Sequence, residues 1–523
     1  MPKTKSAQSG GVTMSSPGFQ GGVNVRDAIN LLEPDELRRC ENATLDERGG
    51  VSKRLGCADK GTFGLPADRV LSMYTFYRGI TPPQLLMQTT AGKLFYTNDP
   101  TVQPIVWTEI ASGFSTTEHF SYETFNNKVY FSNGIDFYSS WDGAAYLANA
   151  AAPKGRFLRL WKDTMWVSGV TGEPDRVYSS NPGDPETFGI ANWIDLSKGD
   201  GDVTTALNTD GTFLIVGKRN RTFVIYDVVT FANRTVDYEK GIESHRSVIQ
   251  FEGDIYFLSR RGICKWISDT PAEIISGKID PFFDPDIINI AQLNKATAYT
   301  IGNQLGWTIP EALFDVPSFQ IEYYPRLAGF TAYGNRGTGP FVTHRMPCRT
   351  FARYRSGAVD YLYAGSNKSN KVFQPFAEIG TDDGDFFTTS VETGVLDFGA
   401  PTLTKYMRRC RVLGRGKFTL IFLRNFENAI VRSQAIDLET ATDTWDLLDD
   451  WGADTWGAGQ SIVHEQKFHP DIYGRFFSIR VTDSEIPAGI KPVPVGSTDY
   501  ALTAGEWGLY GYYIDATIAG VRD

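Results

Sequence analysis

Apolar and polar residues alternate with a period of two along most of the chain, the pattern of strands that bury one face. A short strand rich in aromatic and branched residues, entered through a polar turn, appears in AGKLFYTND (91–99), NNKVYFSNGIDFY (126–138) and KDTMWVSGV (162–170). It returns in DGTFLIVGKRNRTFVIY (210–226), EGDIYFLSRRGICKW (252–266), GNQLGWTI (302–309) and GAVDYLYAGSNKSNKVF (357–373). The spacing is roughly 35–55 residues, that of propeller blades, whose hairpins cannot bury both faces alone and so must stack in a ring. The pattern predicts an all-β chain with a β-propeller over 61–380; a pair of ordinary β-sandwiches is the rival reading. One helix is expected near the N-terminus, from Pro34 to Cys40. Pro34 suits its first turn, Asp35 and Glu36 the positive end, and Arg38 and Arg39 the negative end.

The Gly/Asp cluster EIGTDDGDFF (378–387) marks a boundary. Longer alternating strands follow in 390–425, 475–485 and 507–523, predicting a β-sandwich over 381–523. On the N-terminal side, the Ser/Gly-rich residues 1–22 are expected to form a flexible arm, and 23–60 an assembly segment of helix and basic hairpin. In NATLDERGGVSKRLGC (42–57), Val51 and Leu55 alternate with Lys53 and Arg54 behind a Gly49-Gly50 turn, which reads as a basic strand facing solvent.

Composition sharpens this picture. With 52 Gly, 26 Pro and 13% aromatic residues among 523, the chain is suited to many strands and turns rather than to helical bundles. Its net charge of −10 excludes a general nucleic-acid binder, and an acidic surface would keep DNA from sticking. Five scattered cysteines (Cys40, Cys57, Cys264, Cys348, Cys410), with no CxxC, point to free thiols. No apolar run is long enough for a membrane helix, so no membrane insertion is expected, and the N-terminus has no apolar core of a secretory signal.

Candidate chemistry is sparse. His119, His245 and His344 are dispersed, and His464 and His469 in HEQKFHPD do not make an HExxH site. The carboxylates of GDGD (199–202) and NPGDPETF (181–188) suit tight turns better than calcium. GRGKF (414–418) and GAGQS (457–461) are not phosphate loops, and no GxSxG elbow occurs. No catalytic residue, cofactor or metal is therefore expected. A secreted propeller hydrolase is disfavoured by the missing active-site motif and signal. In WDLLDDWGADTWGAG (445–459), Trp451 and Trp456 are assigned to a subunit interface, with stacking on a sugar as the alternative.

FQGGVNVRDAINLLEPDELRRCENATLDERGGVSKRLGC (19–57) resembles the N-terminus of structural proteins of tailed bacteriophages. Gly21, Gly22, Asn24, Arg26, Asp27, Pro34, Glu36, Asn42, Gly50, Lys53, Arg54 and Gly56 stand in the order that such proteins show. The stretches 175–226 and 392–412 are similar to the middle of that family and to its entry into a C-terminal sandwich. The resemblance implies a propeller-bearing tail component, such as a nozzle or tail-tube protein, located in the virion and synthesised in the bacterial cytoplasm. It implies a homo-oligomeric ring, a hexamer, beside other tail proteins (adaptor, tail fibre or tip), with phage DNA passing through without specific binding. Gly50, Lys53 and Arg54 are then expected at the assembly interface. The alternative is a tail-tip module binding host glycan through the tryptophan loop.

Overall fold

The computed structural model describes residues 11–16, 18–46, 49–79, 81–267, 270–327, 340–425, 430–438, 464–483 and 507–518. Among them the only helical segments are three 3-10 turns, at His245–Ser247, Gly277–Phe283 and Ile290–Lys295. Everything else that is regular is strand, as the period-two pattern predicts.

The fold is a β-propeller joined to a β-sandwich. Six blades stand as separate sheets. Five are four-stranded antiparallel meanders, over 70–112, 121–149, 157–195, 204–237 and 249–274. The sixth uses Cys348–Ser356, Val359–Ser366 and Lys371–Ala377, and takes its fourth strand, Gly56–Thr62, from the N-terminal part of the chain. That strand closes the ring, since the last blade is then one sheet built from two distant parts of the sequence. Between the fifth and last blades lies another four-strand meander, Thr297–Ile301, Gln304–Pro310, Pro317–Tyr323 and Phe341–His344. Its outer edge does not end. It continues through Glu36–Glu41, Ser390–Thr393, Phe477–Thr482, Lys417–Arg424 and Ile430–Asp437 into a ten-stranded sheet.

The far half of that sheet is one layer of the sandwich. The other layer orders Ala43–Leu45, Val51–Lys53, Gly508–Ile518, Lys405–Arg415 and His464–Phe468, with Gly11–Ser15 added on Gly508–Ile518. Phe418, Leu420 and Phe422 from the first layer share one core with Met407, Val412, Leu509 and Ile514 from the second. Face-to-face packing of two such inner faces is what excludes water from both sheets.

Three N-terminal expectations are corrected. Residues 36–41 form a strand, not the end of a helix over Pro34 to Cys40. Leu37 and Cys40 are both buried although three apart, because a bulge between Leu37 and Arg39 against Glu392–Thr393 shifts the register by one residue. That spacing mimics one face of a helix. The arm proposed for 1–22 contains a strand, Gly11–Ser15, fixed in register from Gly11↔Thr517 to Ser15↔Tyr513. Nor is 23–60 a separate segment: its strands as far as Val51–Lys53 complete the sandwich, and Gly56–Thr62 completes the propeller.

Candidate functional site

Several residues behind the resemblance, Asn42, Arg54 and Gly56 among them, meet where sandwich joins propeller. Asn42 sits in the left-handed region (φ 56°) and turns the chain out of Glu36–Glu41 into the hairpin. Its Nδ2 donates to the Thr388 carbonyl at 2.8 Å, while its Oδ1 accepts from Arg54 Nε at 3.0 Å and from the Arg345 main-chain N–H at 3.1 Å. Arg54 is 1% exposed. Both of its terminal nitrogens engage Asp382, one at 2.9 Å to Oδ1, and its guanidinium lies 3.7 Å from the centre of the Phe387 ring. Asp382 also accepts from the Cys57 N–H at 3.1 Å. A bidentate arginine–carboxylate pair with its remaining lone pairs satisfied is the form in which buried charge is tolerated.

Lys53 repeats the arrangement one residue earlier, with Nζ 2.6 Å from Asp483 and 4.5 Å from the centre of the same ring. Lys53 and Arg54 are thus buried inside the subunit, which overturns the reading of a solvent-facing basic strand. The hairpin's backbone also pairs with Gly508–Ile518, so its edge is taken up within the sheet.

Glycines allow the close approaches. A Cβ on Gly56 would lie 2.0 Å from the Thr381 carbonyl oxygen, and one on Gly22 (φ +65°) 2.7 Å from the Phe341 nitrogen. Gly50 is buried, and a Cβ there would meet the Tyr510 ring at 2.9 Å. In a separate cluster, Asn24 donates to Asp27 at 3.0 Å and to Glu36 at 2.9 Å, and Glu36 pairs with Lys278 at 2.9 Å. Of the expected interface residues, Lys53 and Arg54 therefore lie at this joint, while Gly50 lies in the hairpin against Tyr510. Trp451 and Trp456 lie outside the described residues.

Sequence reasoning missed the acidic half of the joint, Asp382, Asp483 and the Phe387 ring between the two cations. It also missed Glu322 and His344, fully buried and 2.9 Å apart, with Tyr299 and Tyr324 hydroxyls donating to Glu322. The signal was a run of polar residues inside otherwise apolar strands.

Elsewhere the motifs resolve into structure. In GDGD, Asp200 binds Lys218 Nζ at 2.9 Å, and Asp202 accepts from the Arg219 and Asn220 N–H groups. Lys218 is fully buried and also pairs with Asp175 at 2.7 Å. His469 Nδ1 lies 2.7 Å from the Arg408 carbonyl. All five cysteines are buried and free, and Cys57 Sγ approaches Cys348 Sγ to 4.0 Å. Among the described residues no group of three metal-ligating side chains occurs.

No protein-family model and no curated protein matches the chain. Solved structures similar to part of it include the following two. The computationally designed Ika8 protein is 8% identical over 61% of this chain and 99% of its own, with a TM-score of 0.36. The AfRom2 CNH domain is 8% identical over 62% of this chain and 99% of its own, with a TM-score of 0.40.

Proposed function

We propose that the chain is a structural subunit of a bacteriophage tail, of the nozzle or tail-tube kind, with no catalytic role. It assembles into a homo-oligomeric ring, a hexamer, through which DNA passes on ejection. The observation that carries this reading is the meeting of Asn42, Arg54 and Gly56 with Asp382 and Thr381 where sandwich joins propeller. These three residues, all within the stretch that carries the resemblance, tie sandwich to propeller. A subunit that must hold its place in a ring while DNA moves past it needs such a lock.

Surface features support the reading. Leu313 is 92% and Phe314 56% exposed on the loop after Gln304–Pro310, beside Ile287 at 39%. Apolar side chains clustered in this way suit a face that a neighbouring subunit covers. The net charge of −10 suits passage of DNA without adhesion.

The test is the mass of the purified protein by light scattering, followed by negative-stain imaging. Rings of about six subunits are expected, and Leu313→Asp with Phe314→Asp should shift them to smaller species without changing the far-UV circular dichroism. A single subunit at every concentration up to tens of micromolar overturns the ring.

A further inference from the structure

All five cysteines are buried as free thiols, and two of them meet. Cys57 Sγ lies 4.0 Å from Cys348 Sγ, although 291 positions separate them in the chain. Among the described residues no other two cysteines are in contact.

The approach follows from the joint. Asn42 Oδ1 accepts from Arg54 Nε at 3.0 Å and from the Arg345 main-chain N–H at 3.1 Å, so two stretches of chain leave one point. Each reaches a cysteine three residues on, Cys57 in one and Cys348 in the other. Both thiols are fully buried and share an apolar cluster with Tyr299, Phe351 and Phe373. Asp382 fixes the Cys57 end, since its Oδ1 accepts from the Cys57 N–H at 3.1 Å.

Their places in the fold give the contact a consequence. Cys348 opens the first strand of the last blade, and Cys57 stands second in Gly56–Thr62, the strand that completes that blade. The chain between them runs through all the remaining blades. A covalent link here turns the propeller into a closed loop of chain, where otherwise hydrogen bonds and packing alone hold it shut. We propose that Cys57 and Cys348 are an oxidation site that closes to a disulfide and fastens the propeller covalently, with a low-molecular-weight disulfide as the oxidant. The two sulfurs must come to about 2.05 Å, a shift of about 1 Å each that small rotations about the side-chain bonds supply.

The thiolate of one cysteine attacks the sulfur–sulfur bond of the oxidant, forming a mixed disulfide and releasing one thiol. The second cysteine displaces the other half, giving the Cys57–Cys348 bond and a second released thiol. Two electrons and two protons pass from the cysteines to the oxidant. The hydrogen bond with Cys348, then burial, push the Cys57 thiol well above its usual range, so the closed blade reacts slowly. Reaction belongs to the moments when Gly56–Thr62 lifts from the blade. The proposal does not depend on oligomerisation or on a tail role.

The test exposes the full-length native protein, reduced and then freed of reductant, to oxidised glutathione. Remaining thiols are alkylated in denaturant and counted by mass spectrometry. Two of the five should be lost, with Cys57 and Cys348 recovered in one linked peptide. On a non-reducing denaturing gel the product should run faster than the reduced chain, because the loop stays closed. Its melting temperature should rise by several degrees and return to the starting value with dithiothreitol. Cys57→Ser, or Cys348→Ala if the first variant fails to fold, should keep every remaining thiol. Five alkylated thiols in the oxidised wild type, glutathione retained on either cysteine, or a linked pair other than Cys57 with Cys348 overturns the site. A linked protein that melts no higher than the reduced one overturns the fastening.

Discussion

At His245 the main-chain N–H of Leu207 points at Nδ1 from 3.3 Å, so that nitrogen accepts and Nε2 carries the proton toward Ser121. Burial, with the guanidiniums of Arg159 and Arg246, pushes its pKa down to about 3. The unfolded chain takes up this proton near the ordinary histidine value, about 6.5, while the folded protein does not. Stability is therefore full above that value and is lost as pH falls toward 3. The melting temperature should decline between pH 6.5 and 4, and His245→Gln, which keeps a donor and an acceptor, should flatten the decline, with His119, which burial also holds well below the usual imidazole range, still contributing. At the joint, Arg54→Met strands Asp382 in a buried site. It should cost about 3–5 kcal/mol, read from denaturant midpoints, and Asp382→Asn added to it should restore part of the loss. The charge of Lys53 and Arg54 is legible in the sequence, and their burial is not. The carboxylates that make it tolerable lie 430 and 328 positions away, and without them a basic pair on a short strand reads as surface.

Among the elements, the meanders are legible because each is local: a strand, a turn and the next strand all fall within a few dozen residues. Glu36–Glu41 fails for a local reason too, since its bulge gives a strand the apolar spacing of a helix. The strand Gly56–Thr62 is the opposite case. Its Gly and Asp content looks like a loop, and only pairing with Lys371–Ala377 makes it the fastening strand of the last blade. Gly56→Ala should break that fastening, because the added Cβ meets main-chain oxygens of Thr381 and Ile379 rather than side chains able to move aside. A fall in melting temperature of several degrees, with earlier cleavage between the first and last blades in limited proteolysis, is the expected result.

For the whole molecule, the chain's two ends interleave. Gly508–Ile518 pairs with Lys405–Arg415, with Gly11–Ser15 and with Val51–Lys53, so one strand near the C-terminus seats three others. Deleting residues 507–523 should abolish the sandwich and loosen the joint. Calorimetry should then show a smaller unfolding enthalpy and a lower midpoint for what remains. A linear reading places the sandwich after residue 380, since nothing in the local pattern of 11–53 says that its partners come more than 300 residues later. Propeller and sandwich are legible as architectures; which stretch of chain belongs to which is decided by long-range pairing.

That interleaving sets a timetable for biosynthesis. The strand Gly56–Thr62 leaves the ribosome early, yet its partner Lys371–Ala377 follows only after more than 300 further residues. At about 5–20 residues per second, the blade it completes stays open for roughly 15–60 s, with an unpaired strand edge exposed throughout. The sandwich waits longer still, for Gly508–Ile518. The propeller can close once Lys371–Ala377 emerges, whereas the sandwich must wait for Gly508–Ile518, and until then its unpaired strands must be kept from neighbouring chains on the same polysome.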